Sequence, residues 1–161
     1  MPENCSAIAC NTVSLSAGRN ILNMPAKDIF HQAVRHALEK DGWNITHDPL
    51  HLRTGGVEFH IDLGAERLIA AEKQGRKIAV EIKSFVGISA ITEFHAALGQ
   101  YLDYLLALED QEPERMLYLA IPVTQYSTFF SLQFIRKAVH RYQMNLLTYD
   151  EEREVIVLWS K

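Results

Sequence analysis

Apolar residues recur along this chain with two periods, and the switches between them mark out its elements. From Pro25 the pattern is helical. Ile29, Phe30, Val34, Ala37 and Leu38 return at helical spacing, Pro25 suits a first turn that needs no amide hydrogen, and Gly42 closes the stretch. Residues 43–46 predict a short strand that Asp48-Pro49 breaks. After a turn at Gly55-Gly56, residues 57–63 alternate, with Val57, Phe59, Ile61 and Leu63 on one face and Glu58, His60 and Asp62 on the other. Residues 67–85 read as two strands joined by a tight turn at Gln74-Gly75. Residues 88–108 predict a long helix with Phe94, Leu98, Tyr101, Leu105 and Leu108 as its apolar stripe. Residues 115–121 are short, almost wholly apolar and bounded by Pro122, the pattern of a buried strand. Residues 129–142 predict a second amphipathic helix, and 145–149 and 155–159 two closing strands. That order predicts an α/β fold, a mixed sheet with helices on both faces.

Composition changes this picture little. With 161 residues, 48% hydrophobic and 22% charged, the chain can bury one core without staples. Residues 1–23, rich in Ser, Asn and Ala, have no sustained period and read as a poorly ordered extension ahead of a single domain over 24–161. Cys5 and Cys10 lack a second pair to complete a zinc site and read as free thiols suited to a reducing cytoplasm. The seven histidines are scattered without metal-ligand spacing except for a loose His47/His51 pair across an expected turn, and read as ordinary surface or core histidines. No apolar run approaches the roughly 20 residues of a membrane span, so no membrane partner is expected.

Charge matters more. A net charge of −4 counts against strong unaided nucleic-acid binding. Two small basic clusters remain, Arg136 with Lys137 and Arg141, and Arg76 with Lys77; the second is the candidate contact for substrate.

The candidate chemistry lies in residues 77–85. Glu81 and Lys83 stand two apart, so in a strand both point to one face while Ile78, Val80 and Ile82 point to the other. Desolvating each charge costs several kcal/mol, so the pair is either an ion pair at a strand edge or the floor of a site. A neighbouring strand would set Asp62 beside Glu81, and two close carboxylates call for a divalent cation; hard oxygen ligands favour Mg²⁺ or Mn²⁺. Such an ion polarises phosphate and lowers the pKa of water, with Lys83 placed to stabilise developing charge. Gln100 and Tyr104, four apart on the following helix, share a face that reaches the rim of this site.

Asp62, Glu81-Ile82-Lys83 and Gln100-Tyr-Leu-Asp-Tyr104 resemble the PD-(D/E)xK nuclease superfamily, whose fold is restriction-endonuclease-like, and the Gln/Tyr pair is similar to that of RecB-like nucleases. The resemblance implies Asp62 and Glu81 as metal ligands, Lys83 and Gln100 as catalytic partners and Tyr104 as a substrate contact. The chain departs from that pattern in two places. Ile61 stands where the superfamily has Pro, and the acid of its first helix is replaced near here by His31. A longer match, through MPAKDIFHQAVRHALEKDGW, GVEFHIDLGAE, AAEKQGRKIAVEIKSF, EFHAALGQYLDY, ERMLYLAIP and EREVIVLW, resembles XisH, the fdxN element excision-controlling factor of cyanobacteria. It implies a role in programmed excision of a DNA element, alongside a recombinase complex and a XisI-type companion; a second copy of the chain is a further expected partner. Three readings follow: an accessory excision factor on a nuclease fold, a working Mg²⁺-dependent endonuclease, or a catalytically silent interaction module.

Overall fold

The computed structural model describes residues 26–59 and 68–161. The N-terminal stretch read as an extension, and Asp62 with the rest of residues 60–67, lie outside the described residues.

Helix α1 (Ala26–Lys40) leads into β1 (Asn44–His47), and β2 (Leu52–Thr54) and β3 (Val57–Phe59) form a separate two-stranded sheet. β4 (Leu68–Lys73) and β5 (Arg76–Ile82) form a hairpin, followed by α2 (Ala90–Gln111), β6 (Arg115–Pro122), α3 (Val123–Ser127), α4 (Gln133–Arg141), β7 (Leu146–Asp150) and β8 (Val155–Ser160). The main sheet has the order β1-β4-β5-β6-β7-β8. Its β5–β6 and β6–β7 pairings are parallel and the other three antiparallel. Each parallel step is bridged by helix, as parallel neighbours require. The expected mixed sheet with helices on both faces is therefore present. Gln74 and Gly75, with φ of 50° and 75°, make the hairpin turn and set Lys73 opposite Arg76; positive φ at both central residues is the type I′ geometry that matches strand twist.

The two faces of β5 bury different neighbours. Ile78, Val80 and Ile82 pack with Ala33, Val34 and Leu38 of α1. Ala79 packs in the other cluster, with Phe94, Ala97, Tyr101 and Tyr104 of α2. The strand's period of two thus separates an α1 layer from an α2 layer. Ser89 starts α2 by accepting from the Thr92 amide at 3.4 Å. No described helix is long and apolar enough to cross a membrane.

Two expectations change. The helix expected over 129–142 opens with a 3₁₀ turn at Phe129–Ser131 and is α-helical only as α4, Gln133–Arg141, with the short α3 set off ahead of it. The hydroxyls of Ser127, Thr128 and Ser131 donate to the carbonyls of Val123, Thr124 and Thr128, and Leu132 is extended at φ −60°, ψ 137°. Such short hydroxyl side chains compete for the backbone and interrupt a helix. The strand expected over 57–63 is described only as β3, which pairs with β2 and not with β5; the antiparallel neighbour of β5 is β4.

Three tyrosines carry a pH signature. Burial pushes the hydroxyls of Tyr101, Tyr118 and Tyr149 above the ordinary tyrosine range. Their folded pKa values exceed the unfolded value, so their contribution to stability is complete below about pH 10 and is lost as pH rises beyond it. In an alkaline titration followed by phenolate absorbance, these three ionise together with unfolding. A stepwise ionisation in which the far-UV circular dichroism stays native would contradict this.

Candidate functional site

Glu81 and Lys83 lie on the α2 face at the carboxyl end of β5. Glu81 sits opposite Leu68 of β4 and Leu119 of β6, and the Lys83 amide donates to the Ala120 carbonyl at 3.1 Å, so the strand stays tied to β6 through Lys83. Glu81 is 0% and Lys83 4% exposed, with Lys83 Nζ 3.4 Å from Glu81 Oε1. At that distance and an effective dielectric near 20 the gross attraction is about 5 kcal/mol. Removing each ion from water costs several kcal/mol. The attraction between the two is of the same order as the cost of desolvating them. This is no solvated strand-edge bridge: β5 lies inside the sheet between β4 and β6.

The backbone beyond Lys83 is held in an unusual conformation. Phe85 has φ 54° yet is buried. Bulky side chains seldom occupy that left-handed region. Rings of Phe130 at 5.1 Å and Phe129 at 6.0 Å fix it, and both also meet Phe94 of α2. This aromatic cluster turns the chain from Lys83 into α2.

Gln100 lies on α2 between Ala97 and Tyr104, both of which pack with Leu68, Ala79 and Leu119, the sheet residues around Glu81. Its Oε1 is buried and has no hydrogen-bond partner among the described residues. Tyr104 is buried, its ring edge-on to Phe59 at 5.8 Å. Phe59 and Leu68 flank residues 60–67. The described chain therefore enters that stretch beside Tyr104 and leaves it opposite Glu81, and Asp62 belongs to the stretch between. Glu81, Lys83, Gln100 and Tyr104 share one layer.

Arg76 and Lys77 do not join them. They begin β5, about 20 Å from Lys83 along the strand at 3.3 Å per residue. Arg76 lies over the Trp43 ring at 5.5 Å, and Lys77 Nζ pairs with Glu114 Oε1 at 2.8 Å. That bond to Glu114 raises the Lys77 pKa and lowers that of Glu114. His31 is also elsewhere. It is on α1, across the sheet, with Nε2 2.8 Å from Asp48 Oδ1, while Arg35 holds Asp48 Oδ2 at 3.0 Å.

Sequence reasoning missed Thr148. Ile82 is level with Ala120 and Ile121 with Thr148, so Lys83, Ile121 and Thr148 form a row across the parallel strands. Thr148 is 1% exposed, and its Oγ1 has no hydrogen-bond partner among the described residues. A short polar side chain inside the largely apolar run Leu146–Asp150 is its trace in the sequence.

The donor set suits a hard cation in kind. The Glu81 carboxylate and the buried Gln100 amide oxygen are oxygen donors of the sort Mg²⁺ and Mn²⁺ take. No group of three or more His, Cys, Asp or Glu is assembled among the described residues.

These features define an α/β protein whose mixed sheet buries a carboxylate–ammonium pair beneath one helix. The chain belongs to the XisH family: the family model described as XisH protein matches residues 24–157. It is similar to the crystal structure of an XisH family protein from Nostoc punctiforme PCC 73102, with 52% identity and a TM-score of 0.78 over 83% of this chain and 100% of that one. It is similar also to that of an fdxN element excision controlling factor protein from Anabaena variabilis, with 52% identity and a TM-score of 0.78 over 83% of this chain and 99% of the other. No curated protein matches the chain.

Proposed function

We propose that this protein controls excision of a DNA element of the fdxN type, acting in the cytoplasm with a recombinase and a XisI-type companion. The observation that carries this reading is the 52% identity, over 83% of the chain, to the Anabaena variabilis excision controlling factor.

The burial of Glu81 with Lys83 favours a second, compatible reading: a nuclease-type domain of the PD-(D/E)xK kind that nicks phosphodiesters. Asp62 and Glu81 would hold Mg²⁺ or Mn²⁺. When bound, that ion supplies Lewis-acid polarisation of phosphate and a more acidic water. Lys83 keeps an ammonium beside the Glu81 carboxylate, orienting it and offering a donor to negative charge developing on a phosphoryl oxygen. The Gln100 Oε1 offers an acceptor that orients a water hydrogen. The buried layer under α2 excludes bulk water from these groups.

In cells lacking the native gene, excision is lost and the wild-type chain restores it; unimpaired excision in the deletion strain contradicts the first reading. Manganese at one hundred times its dissociation constant stabilises a binding protein by about 2.7 kcal/mol. The wild type therefore gains several degrees in Tm with Mn²⁺ and Glu81→Gln does not. Equal shifts, or none in either protein, contradict the second reading.

A further inference from the structure

The basic residues of α4 form a second feature that the pair under α2 does not explain. A cleft of about 730 Å³ opens between α4 and the ends of β7 and β8. That volume is within the usual range for small-ligand sites. Its floor is apolar, with Phe130, Met144 and Leu146, and its rim carries Arg136, His140 and Lys161. A shallower recess on the same side of α4 is lined by Gln133, Arg136, Lys137 and His140. Neither has an acidic residue in its lining.

The cations here differ from the rest. Arg136, Lys137, Arg141 and Lys161 are exposed, and none has a carboxylate within 4.0 Å among the described residues. Every other lysine and arginine whose side chain is described either pairs with a carboxylate or, for Arg76, lies over Trp43. Among the described residues of a chain of net charge −4, the cations with neither a carboxylate nor an aromatic ring as partner thus gather on α4 and beside it. Phe134, 68% exposed, stands three residues before Lys137 and seven before Arg141 on the same helix. Three and seven residues are nearly one and two helical turns, so the ring and both cations share a face.

We propose that α4 and this cleft bind a strand of nucleic acid: Arg136, Lys137, His140, Arg141 and Lys161 take backbone phosphates, the apolar floor takes one nucleotide's base or sugar, and Phe134 gives a second base a stacking surface. The proposal rests on the reading that the protein acts on DNA and adds where the strand lies. An acidic peptide would satisfy the cations but would leave unused a nucleotide-sized apolar floor and an exposed ring, the combination that single-strand binders employ. The surface is two to three strands from β5, on the order of 10–15 Å at 4.8 Å per strand. A strand held on α4 would therefore pass close to the Glu81–Lys83 end of the sheet.

Fluorescence anisotropy of a labelled single-stranded DNA with the full chain at low salt tests this. Arg136→Glu with Lys137→Glu is expected to weaken binding at least tenfold while circular dichroism and Tm stay native. Should charge reversal disturb the fold, Arg136→Gln with Lys137→Gln lowers the slope of log K against log salt by about 0.7 per cation removed. Phe134→Ala weakens binding at least fivefold, and Arg153→Gln, which removes an exposed, already paired cation, leaves it unchanged. Wild-type affinity in both double variants overturns the assignment and leaves the excision reading intact. Tighter binding of polyglutamate than of DNA, or no DNA binding by the wild type, overturns it too, and the excision reading then stands or falls by the gene-deletion test.

Discussion

Lys83→Met lowers the unfolding free energy by about 3–5 kcal/mol, the cost of taking one partner from a buried ion pair. Methionine keeps most of the apolar stem of lysine, so little of the loss is cavity. What is lost is the ammonium 3.4 Å from Glu81 Oε1, at a position where Glu81 has no exposed surface. The expected reading is a Tm fall on the order of 10 °C and a lower urea midpoint with unchanged m value. Replacing both residues, Glu81→Leu with Lys83→Leu, removes both charges together with both desolvation costs. Such double replacements are neutral or stabilising. The double variant is therefore expected within about 1 kcal/mol of the wild type, with a coupling energy of at least about 2 kcal/mol in the cycle. Additive losses would mean that the two side chains do not act as a pair.

Arg115→Met is the second large loss, about 3 kcal/mol. The Arg115 side chain is 2% exposed at the start of β6. Its Nε and Nη2 donate to Glu112 Oε2 at 2.9 and 2.6 Å, and its Nη1 donates to the Ile78 carbonyl at 3.0 Å. One guanidinium thus closes the end of α2 onto β5. Arg115→Lys recovers less than half of the loss, because an ammonium cannot reproduce the planar fork that serves both acceptors. Urea unfolding of the two variants checks this; full recovery by lysine would mean that charge alone matters. Arg115 lies at the opposite end of the sheet from Lys83, so its variants should support excision in proportion to the folded protein present.

These two buried cations were not equally legible in the sequence. Glu81 and Lys83 stood out because an apolar strand with two charges on one face breaks the binary pattern, and strand period alone assigns the face. Gln100 and Tyr104 followed from helix period in the same way. Arg115 gave no such sign, since an arginine that opens a strand reads as surface until its partners on α2 and β5 are known. Arg76 and Lys77 show the converse. Basic residues at the head of a strand resemble a substrate contact in sequence, but their partners, Trp43 and Glu114, come from distant parts of the chain.

Strand and helix existence was legible wherever period was strong, as in Arg76–Ile82 and Ala90–Gln111. Strand partnership was not. Val57–Phe59 has a clear face, yet it pairs with Leu52–Thr54 across the Gly55-Gly56 turn. Alternation determines which side chains share a face and says nothing of which strand lies alongside. The expected helix over 129–142 is present as α4 but starts late for a local reason that the sequence did hold: the Ser131 hydroxyl bonds back to the Thr128 carbonyl, and Leu132 is extended before the helix begins.

On the function proposed above, Glu81 and Lys83 are buried together for what they do to DNA. The direct test is element excision in cells whose only copy of this protein is the Glu81→Leu, Lys83→Leu variant, with its soluble level and Tm measured alongside. A stable, abundant double variant that supports no excision is the predicted result. Excision at the wild-type rate from the same protein would contradict it.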